Sequence, residues 1–178
     1  MFDVYGNFDS AEEINQKAEE LFNGGDLDGI RVLAKENGIM SSETNAYLSG
    51  ETEQLCDDFG AACGKLELEE QEIVMVGVME DWLGYIETLC FDDSTMARAV
   101  RRKDKSLKGC FAELLLWSLQ NQKPVDKGVL AEAKTIISKR NIDLKKYGIE
   151  PRWLDRTTIG IPNMGTARKL IKKYYLED

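Results

Sequence analysis

The chain has 178 residues, of which 43% are hydrophobic and 31% are charged, a composition typical of a globular protein with a charged surface. It carries 32 acidic and 23 basic residues, for a formal net charge of -9, and it contains no histidine. The lack of histidine excludes Ser-His-Asp and Cys-His catalysis and every metal site that needs an imidazole ligand.

The N-terminal sequence, MFDVYGNFDS, is acidic where a secretory signal would be basic, and no long apolar run follows it. The longest apolar stretch, residues 73–79, is too short to span a bilayer. We therefore expect a soluble cytoplasmic protein without a membrane partner. The four cysteines lack zinc-type spacing, so we predict buried or half-buried free thiols and no metal or other cofactor.

Three short helices are predicted within residues 10–50, each with a polar residue that can cap its start and a glycine at its end. The capping candidates are Ser10 with Glu13 in capping-box spacing, Asp26 or Asp28, and Ser41 or Ser42; the glycines are Gly24, Gly38 and Gly50. We predict that residues 1–50 form a small acidic helical module and that residues 51–178 form a larger helical domain.

Two helices are predicted in the middle of the chain. The first covers residues 51–66 and is weakened by Gly60 and Gly64. The second is a long central helix over residues 68–90, because apolar residues recur there every three to four positions. The β-branched cluster at 73–78 favours a strand instead, but no partner strand is evident, so we predict a helix.

Four further helices are predicted in the second half of the chain. Asp93 or Ser94 can cap residues 95–102, Ser106 can cap residues 107–122, and Asp126 can cap residues 127–140. The helix after Ser106 has a broad apolar face that includes Leu115. Pro162 introduces the last helix, over residues 164–176, and residues 157–161 can form a short extended segment. The predicted fold is mostly or all α, with seven or eight helices.

Charge is divided unevenly along the chain, with 23 acids and 5 bases in residues 1–100 but 9 acids and 18 bases in residues 101–178. Six cations crowd into residues 98–108: Arg98, Arg101, Arg102, Lys103, Lys105 and Lys108. Because Ser106 caps the next helix, we expect these side chains on the outside of a corner between two helices. There they either contact a phosphate backbone or pair with the acidic half of the chain.

Two other groups are candidate contact residues. Trp153 lies between Arg152 and Arg156 in an irregular segment and is the tryptophan best placed to anchor an interface, although a core position is favoured for it. A candidate acidic partner surface comprises Glu67, Glu69, Glu70, Glu72, Glu80 and Asp81. Neighbouring carboxylates such as Glu80 and Asp81 occur as pairs in the active sites of hydrolases, but a chain with this many acidic residues is expected to contain such pairs by chance. We therefore expect a protein that is not an enzyme.

Three segments resemble a known family: MEDWLGYIETLC, then AVRRKDKSLKGCFAELLLWSLQNQ, then IPNMGTARKLIKKYYL, which ends in the pair Tyr174 and Tyr175. Together they resemble the PcfK-like proteins of Firmicutes mobile elements. With the N-terminal GDLDGIRVLAKENGI segment, the chain is similar to type II anti-CRISPR proteins that inhibit Cas9. The resemblance implies no catalytic residues.

This resemblance implies a protein of a phage or mobile element, located in the bacterial cytoplasm, that inhibits Cas9. It would do so by binding the Cas9–guide RNA complex and blocking target DNA binding or cleavage. DNA or RNA would be possible direct partners. The alternative function is a nucleic-acid-binding accessory protein of conjugation or phage replication that uses the basic half of the chain.

Overall fold

The computed structural model describes residues 4–177, without the side chain of Pro151. Within this range the chain forms nine α-helices, which confirms a mostly α fold. Each of the nine segments predicted one by one contains a helix, so the overall count of seven or eight was too low. The helices are α1 (Ala11–Asn23), α2 (Leu27–Glu36), α3 (Ser41–Ser49), α4 (Asp58–Glu70), α5 (Val78–Asp92), α6 (Ser94–Arg101), α7 (Leu107–Gln120), α8 (Lys127–Lys139) and α9 (Met164–Leu176). None of the helices in the described range is long and apolar enough to cross a membrane.

A small sheet and two 3₁₀ helices complete the secondary structure of the described residues. Strands β1 (Lys123–Pro124) and β2 (Thr158–Ile159) pair in antiparallel orientation, with Lys123 opposite Ile159. The extended segment predicted near residues 157–161 therefore exists as β2, and its partner β1 lies just after the end of α7. The 3₁₀ helices cover Leu144–Tyr147 and Pro151–Arg156.

Most helices begin at the polar capping residues that the sequence predicts. The Ser10 hydroxyl accepts a hydrogen bond from the Glu13 amide at 3.1 Å, and Asp26, Asp93 and Asp126 each cap the helix that follows them. Such caps satisfy amides that have no partner within the helix. These boundaries are local in sequence, which explains why the prediction is confirmed at them.

The predicted helix over residues 68–90 is wrong between residues 71 and 77. Helix α4 continues to Glu70, and α5 starts only at Val78. Gly77 has φ +43°, a conformation that residues with a side chain rarely adopt, so it interrupts the helical path. The apolar residues of this stretch lie in an exposed loop, where Val74 and Val76 are 86% and 58% exposed. The helix predicted over residues 51–66 also starts later, at Asp58.

The contacts divide the chain into two compact units. Unit 1 comprises Met1–Glu113 and Met164–Asp178, and unit 2 comprises Leu114–Asn163. One core of unit 1 joins residues of α1 and α2 to Leu55, Cys56 and Ala61, so it extends across residue 50. In the rest of unit 1, α4 and α6 pack together, and α6 also contacts α5 and α9. The predicted boundary at residue 50 stays a prediction.

Helix α4 approaches the end of α2 more closely than a side chain would allow. A Cβ atom on Gly64 would lie 2.6 Å from the carbonyl oxygen of Asn37, and Gly38 opposite has φ +71°. Gly64 therefore permits contact between two backbones, which outweighs its low helix propensity.

The apolar face of α7 is narrower than predicted. Leu107, Cys110, Phe111 and Leu114 are buried, at the three-to-four spacing of one helix face. Leu115, which was predicted on the same face, is 50% exposed. It lies one residue beyond Leu114, and hence about 100° around the helix from it.

Candidate binding surfaces

The cations of the 98–108 corner do not all lie on its outside. Arg101 is 1% exposed, so the expectation that its side chain lies on the outside of the corner is wrong. Its Nε donates to the Phe8 carbonyl at 3.0 Å and its Nη1 to the Ala61 carbonyl at 3.2 Å. Its Nη2 donates to the side-chain oxygens of Asn7 and Asn37. Arg101 therefore ties the N-terminal segment, the end of α2 and α4 to α6.

The other five corner cations are exposed or half-buried, and each has a partner within the chain. Arg98 pairs with Asp58 at 2.8 Å and Lys108 pairs with Glu72 at 2.8 Å. The remaining contacts are those of Arg102 with Asp104, of Lys103 with Asp9, and of Lys105 with the Glu177 carbonyl. Three of these partners, Asp58, Glu72 and Asp9, belong to the acidic half of the sequence. The arrangement matches the internal-pairing alternative more closely than a free phosphate-binding patch.

A buried lysine holds the turn of the corner together. Lys65 is 3% exposed, and its Nζ donates to the carbonyls of Val100, Arg102 and Lys105, the first at 2.9 Å and the last at 2.7 Å. Burial lowers the pKa of Lys65, and Glu69, 3.7 Å away, opposes that shift. The carbonyls of Val100 and Arg102 lie at the end of α6, where a cation satisfies oxygens that have no helical partner, and that of Lys105 lies in the turn before α7.

The KSLKGC segment and the terminal tyrosine pair form one structural joint. The Ser106 hydroxyl accepts a hydrogen bond from the Gly109 amide at 3.1 Å, the geometry of the predicted cap of α7. The Ser106 amide donates to the Tyr174 hydroxyl at 3.0 Å. A Cβ atom on Gly109 would lie 2.9 Å from Cζ of Tyr174, so a side chain at this position would displace the tyrosine ring. The residues that carry the family resemblance therefore dock α9 against the start of α7.

The predicted acidic surface contains two kinds of residue. Glu69 and Glu72 are used internally, because Glu69 accepts a hydrogen bond from the Leu107 amide at 2.6 Å and Glu72 pairs with Lys108. By contrast, no cation pairs, within residues 4–177, with the carboxylates at the end of α4 and the start of α5. These are Glu67, Glu70, Glu80 and Asp81, of which Glu70 is half-buried and the others are exposed.

Sequence reasoning missed the two apolar residues beside these carboxylates. Val74 and Val76 occupy the loop between α4 and α5, because the chain leaves the helix at Gln71. We call this set the acidic loop surface: Val74 and Val76 with Glu67, Glu70, Glu80 and Asp81. The sequence signal that could have located it is Gly77 within the apolar run, because glycine readily adopts the positive φ that ends a helix, and Gly77 has φ +43° in the structure.

Unit 2 has the opposite charge balance from unit 1. It holds 9 basic and 5 acidic residues, whereas the sequence of unit 1 holds 14 basic and 27 acidic residues. Arg152 and Arg156 are exposed, and Trp153 is 52% exposed, so the core position favoured for Trp153 is wrong. The short 3₁₀ helix that carries these residues leaves the indole at the surface.

The four thiols are free, as predicted. Cys56, Cys90 and Cys110 are buried and Cys63 is half-buried. Burial raises the pKa of each of the three buried thiols to about 12 and that of Cys63 to about 11. Such groups stay protonated and unreactive near neutral pH. Within the described residues, no group of three or more Cys, Asp or Glu side chains could hold a metal ion.

Comparisons with protein-family models, with curated proteins and with solved structures find no match to this chain.

Proposed function

We propose that this protein is a non-enzymatic inhibitor that binds the Cas9–guide RNA complex and blocks target DNA binding or cleavage. The acidic loop surface is its contact region. The identity of the target comes from the sequence resemblance around KSLKGC and the terminal tyrosine pair. The observation that carries the contact region is that carboxylates without a cation partner among residues 4–177 precede and follow, in sequence, the exposed Val74 and Val76.

The chemistry of the acidic loop surface suits such a target. Cas9-type proteins hold nucleic acid in positively charged channels, so a surface of free carboxylates is complementary to them. Carboxylates alone give long-range attraction and faster association, whereas apolar side chains at the centre of a contact supply affinity. Val74 and Val76, which lie between the two pairs of acids in the sequence, offer such exposed apolar groups.

A second candidate function is direct binding of single-stranded nucleic acid by unit 2. The observation that favours it is the exposed Trp153 between two exposed arginines, in the unit with the basic excess. An exposed indole can stack on a base while cations contact the phosphates on either side. The six-cation corner gives little support to this function, because its side chains are paired internally.

The direct experiment is a plasmid-cleavage assay in which the protein is titrated into guide-loaded Cas9 before target DNA is added. The proposal predicts that cleavage stops at a small molar excess of the protein. A second arm adds the protein after target DNA has been bound: inhibition lost in this arm indicates a block of target binding, and inhibition retained indicates a block of cleavage. A gel shift with bare DNA and RNA at several salt concentrations tests the second function. Undiminished cleavage at a large excess of the folded protein would refute the proposed inhibition.

A further inference from the structure

Unit 2 contains an apolar cleft that its own side chains do not fill. The cleft has a volume of about 570 Å³ and lies between α8 and the two 3₁₀ helices. Four aliphatic side chains line it, and each is only half-buried: Ile137, Ile142, Leu144 and Leu154. A cavity of this size is within the range of sites that accept a small ligand or a large side chain.

The cleft stays open because unit 2 has almost no closed core. Helix α8 contributes no buried residue. Within residues 114–163, leaving out Pro151, the buried positions are Leu114, Ser118, Gly160 and Pro162, none of which lines the cleft. A unit of this length buries little apolar surface by itself. An occupant of the cleft would remove further apolar surface from water, which is favourable.

Three cations and two carboxylates are among the described residues that line the cleft, an excess of one positive charge: Lys134, Lys145 and Arg152 against Asp143 and Asp155. Lys134 pairs with Asp155, and the Asp143 carboxylate accepts a hydrogen bond from the Lys145 amide at 3.1 Å. The side chains of Lys145 and Arg152 also line the cleft, and neither has an ion-pair partner among residues 4–177. An occupant that brings carboxylates would neutralise these two cations, while one that brings cations would be repelled.

We propose that this cleft is a docking site for a segment of a partner protein that carries one large apolar side chain flanked by Asp or Glu. The apolar side chain enters the cleft, and the flanking carboxylates pair with Lys145 and Arg152. The lining favours a protein segment over a nucleic acid. None of the described residues that line it is aromatic, so a base would find no ring to stack on, and the carboxylates of Asp143 and Asp155 would repel the phosphates. This site goes beyond the proposed function and does not depend on the acidic loop surface.

The test is a selection from a displayed random-peptide library on the immobilised full-length protein. We expect selected peptides to share one Leu, Ile, Met or Phe with Asp or Glu beside it. Ser138→Phe should fill the cleft and abolish the enrichment. The double charge reversal Lys145→Glu/Arg152→Glu should change the selected flanking residues from acidic to basic. Circular dichroism establishes that each variant is folded, and the charge reversal keeps the test decisive if Ser138→Phe does not fold.

A selected peptide, synthesised with a fluorescent label, provides the quantitative measurement. Its affinity should fall about tenfold in Lys145→Gln/Arg152→Gln, because two charge pairs are lost at the rim of the site. The matched control is Lys139→Gln, which removes an exposed cation of α8 that does not line the cleft, and it should leave the affinity within about twofold.

Four results would overturn the proposal. The first is that the peptides whose enrichment is lost in Ser138→Phe contain no apolar residue, or carry basic flanking residues. The second is that no peptide is enriched more strongly on the unaltered protein than on the Ser138→Phe variant. The third is binding of an oligothymidine strand that Lys145→Gln/Arg152→Gln abolishes, which would assign the site to nucleic acid. The fourth is concentration-dependent self-association lost in Ser138→Phe, which would assign the cleft to a second copy of this chain. The peptide selection tests the cleft, whereas the plasmid-cleavage assay tests the inhibition of Cas9 through the acidic loop surface. A failure of one proposal is therefore distinguishable from a failure of the other.

Discussion

Replacement of the buried Arg101 by Met tests whether the corner is a structural joint. Methionine keeps most of the aliphatic stem but cannot donate a hydrogen bond. Two fully buried acceptors, the Asn37 side chain and the Ala61 carbonyl, would lose their guanidinium partner. Each buried acceptor left without a donor destabilises the folded state by about 1–3 kcal/mol. Removal of the buried guanidinium charge offsets part of this loss, because the charge no longer has to be desolvated on folding. We therefore expect a loss of about 2–4 kcal/mol in the free energy of unfolding.

A double-mutant cycle separates this mechanism from a general loss of packing. Asn37→Ala removes one of the buried acceptors, so Arg101→Met should cost less in that background than in the unaltered protein. The surface control is Arg98→Gln, which breaks the exposed pair with Asp58 and should cost only about 0–1 kcal/mol.

Urea denaturation followed by circular dichroism and by tryptophan fluorescence measures these differences. Trp82 is buried in unit 1, so replacing Trp117 and Trp153 by Phe makes the fluorescence report on that unit. The two probes together reveal whether the units unfold separately. The reasoning would be refuted if Arg101→Met cost no more than Arg98→Gln, or if the cycle were additive.

Three further predictions concern the corner and the thiols. The triple variant Arg102→Gln/Lys103→Gln/Lys108→Gln should lower the melting temperature by a few degrees, because the three side chains form ion pairs within the chain. It should leave the salt dependence of Cas9 binding unchanged, and a flatter salt slope in a binding titration would contradict this. Ser106→Ala should cost about 1 kcal/mol in urea denaturation without affecting inhibition, and lost inhibition in the folded variant would argue against a pure capping role. At pH 8 a thiol of pKa about 12 has a thiolate fraction about a thousandfold below that of a thiol of pKa 9, so the three buried cysteines should react with a disulfide reagent only after unfolding. Rapid reaction of all four thiols in the native protein would show that they are not buried.

The same thiols give a pH dependence of stability with a definite sign. Their pKa is raised on folding, so the unfolded chain loses protons above pH 9 while the folded chain keeps them. Their contribution to the free energy of unfolding is therefore fully present below pH 9 and is lost as the pH rises from there toward 12.

Local signals account for what could be predicted from the sequence. The caps at Ser10, Asp26, Asp93, Ser106 and Asp126 depend on residues two or three positions away, and each begins a helix in the structure. The fold class follows from these caps together with the three-to-four apolar spacing between them.

Features set by distant contacts could not be predicted in this way. Arg101 is buried because Asn7, Asn37 and Ala61, far away in sequence, supply its acceptors, and no local pattern separates it from the half-buried Arg102 beside it. The exposed loop after α4 was hidden for a related reason. An apolar run looks the same in sequence whether it packs in a core or projects Val74 into water.

The acidic loop surface is the central element of the proposed function, and a matched pair of variants in the plasmid-cleavage assay tests it most directly. One variant is Glu67→Gln/Glu70→Gln/Glu80→Gln/Asp81→Asn, which removes the free carboxylates. The other is the triple corner variant with Arg102, Lys103 and Lys108 changed to Gln. The account predicts that the first variant, shown to be folded, loses inhibition of guide-loaded Cas9 while the second retains it. Retained inhibition in the first variant with loss in the second would contradict the account.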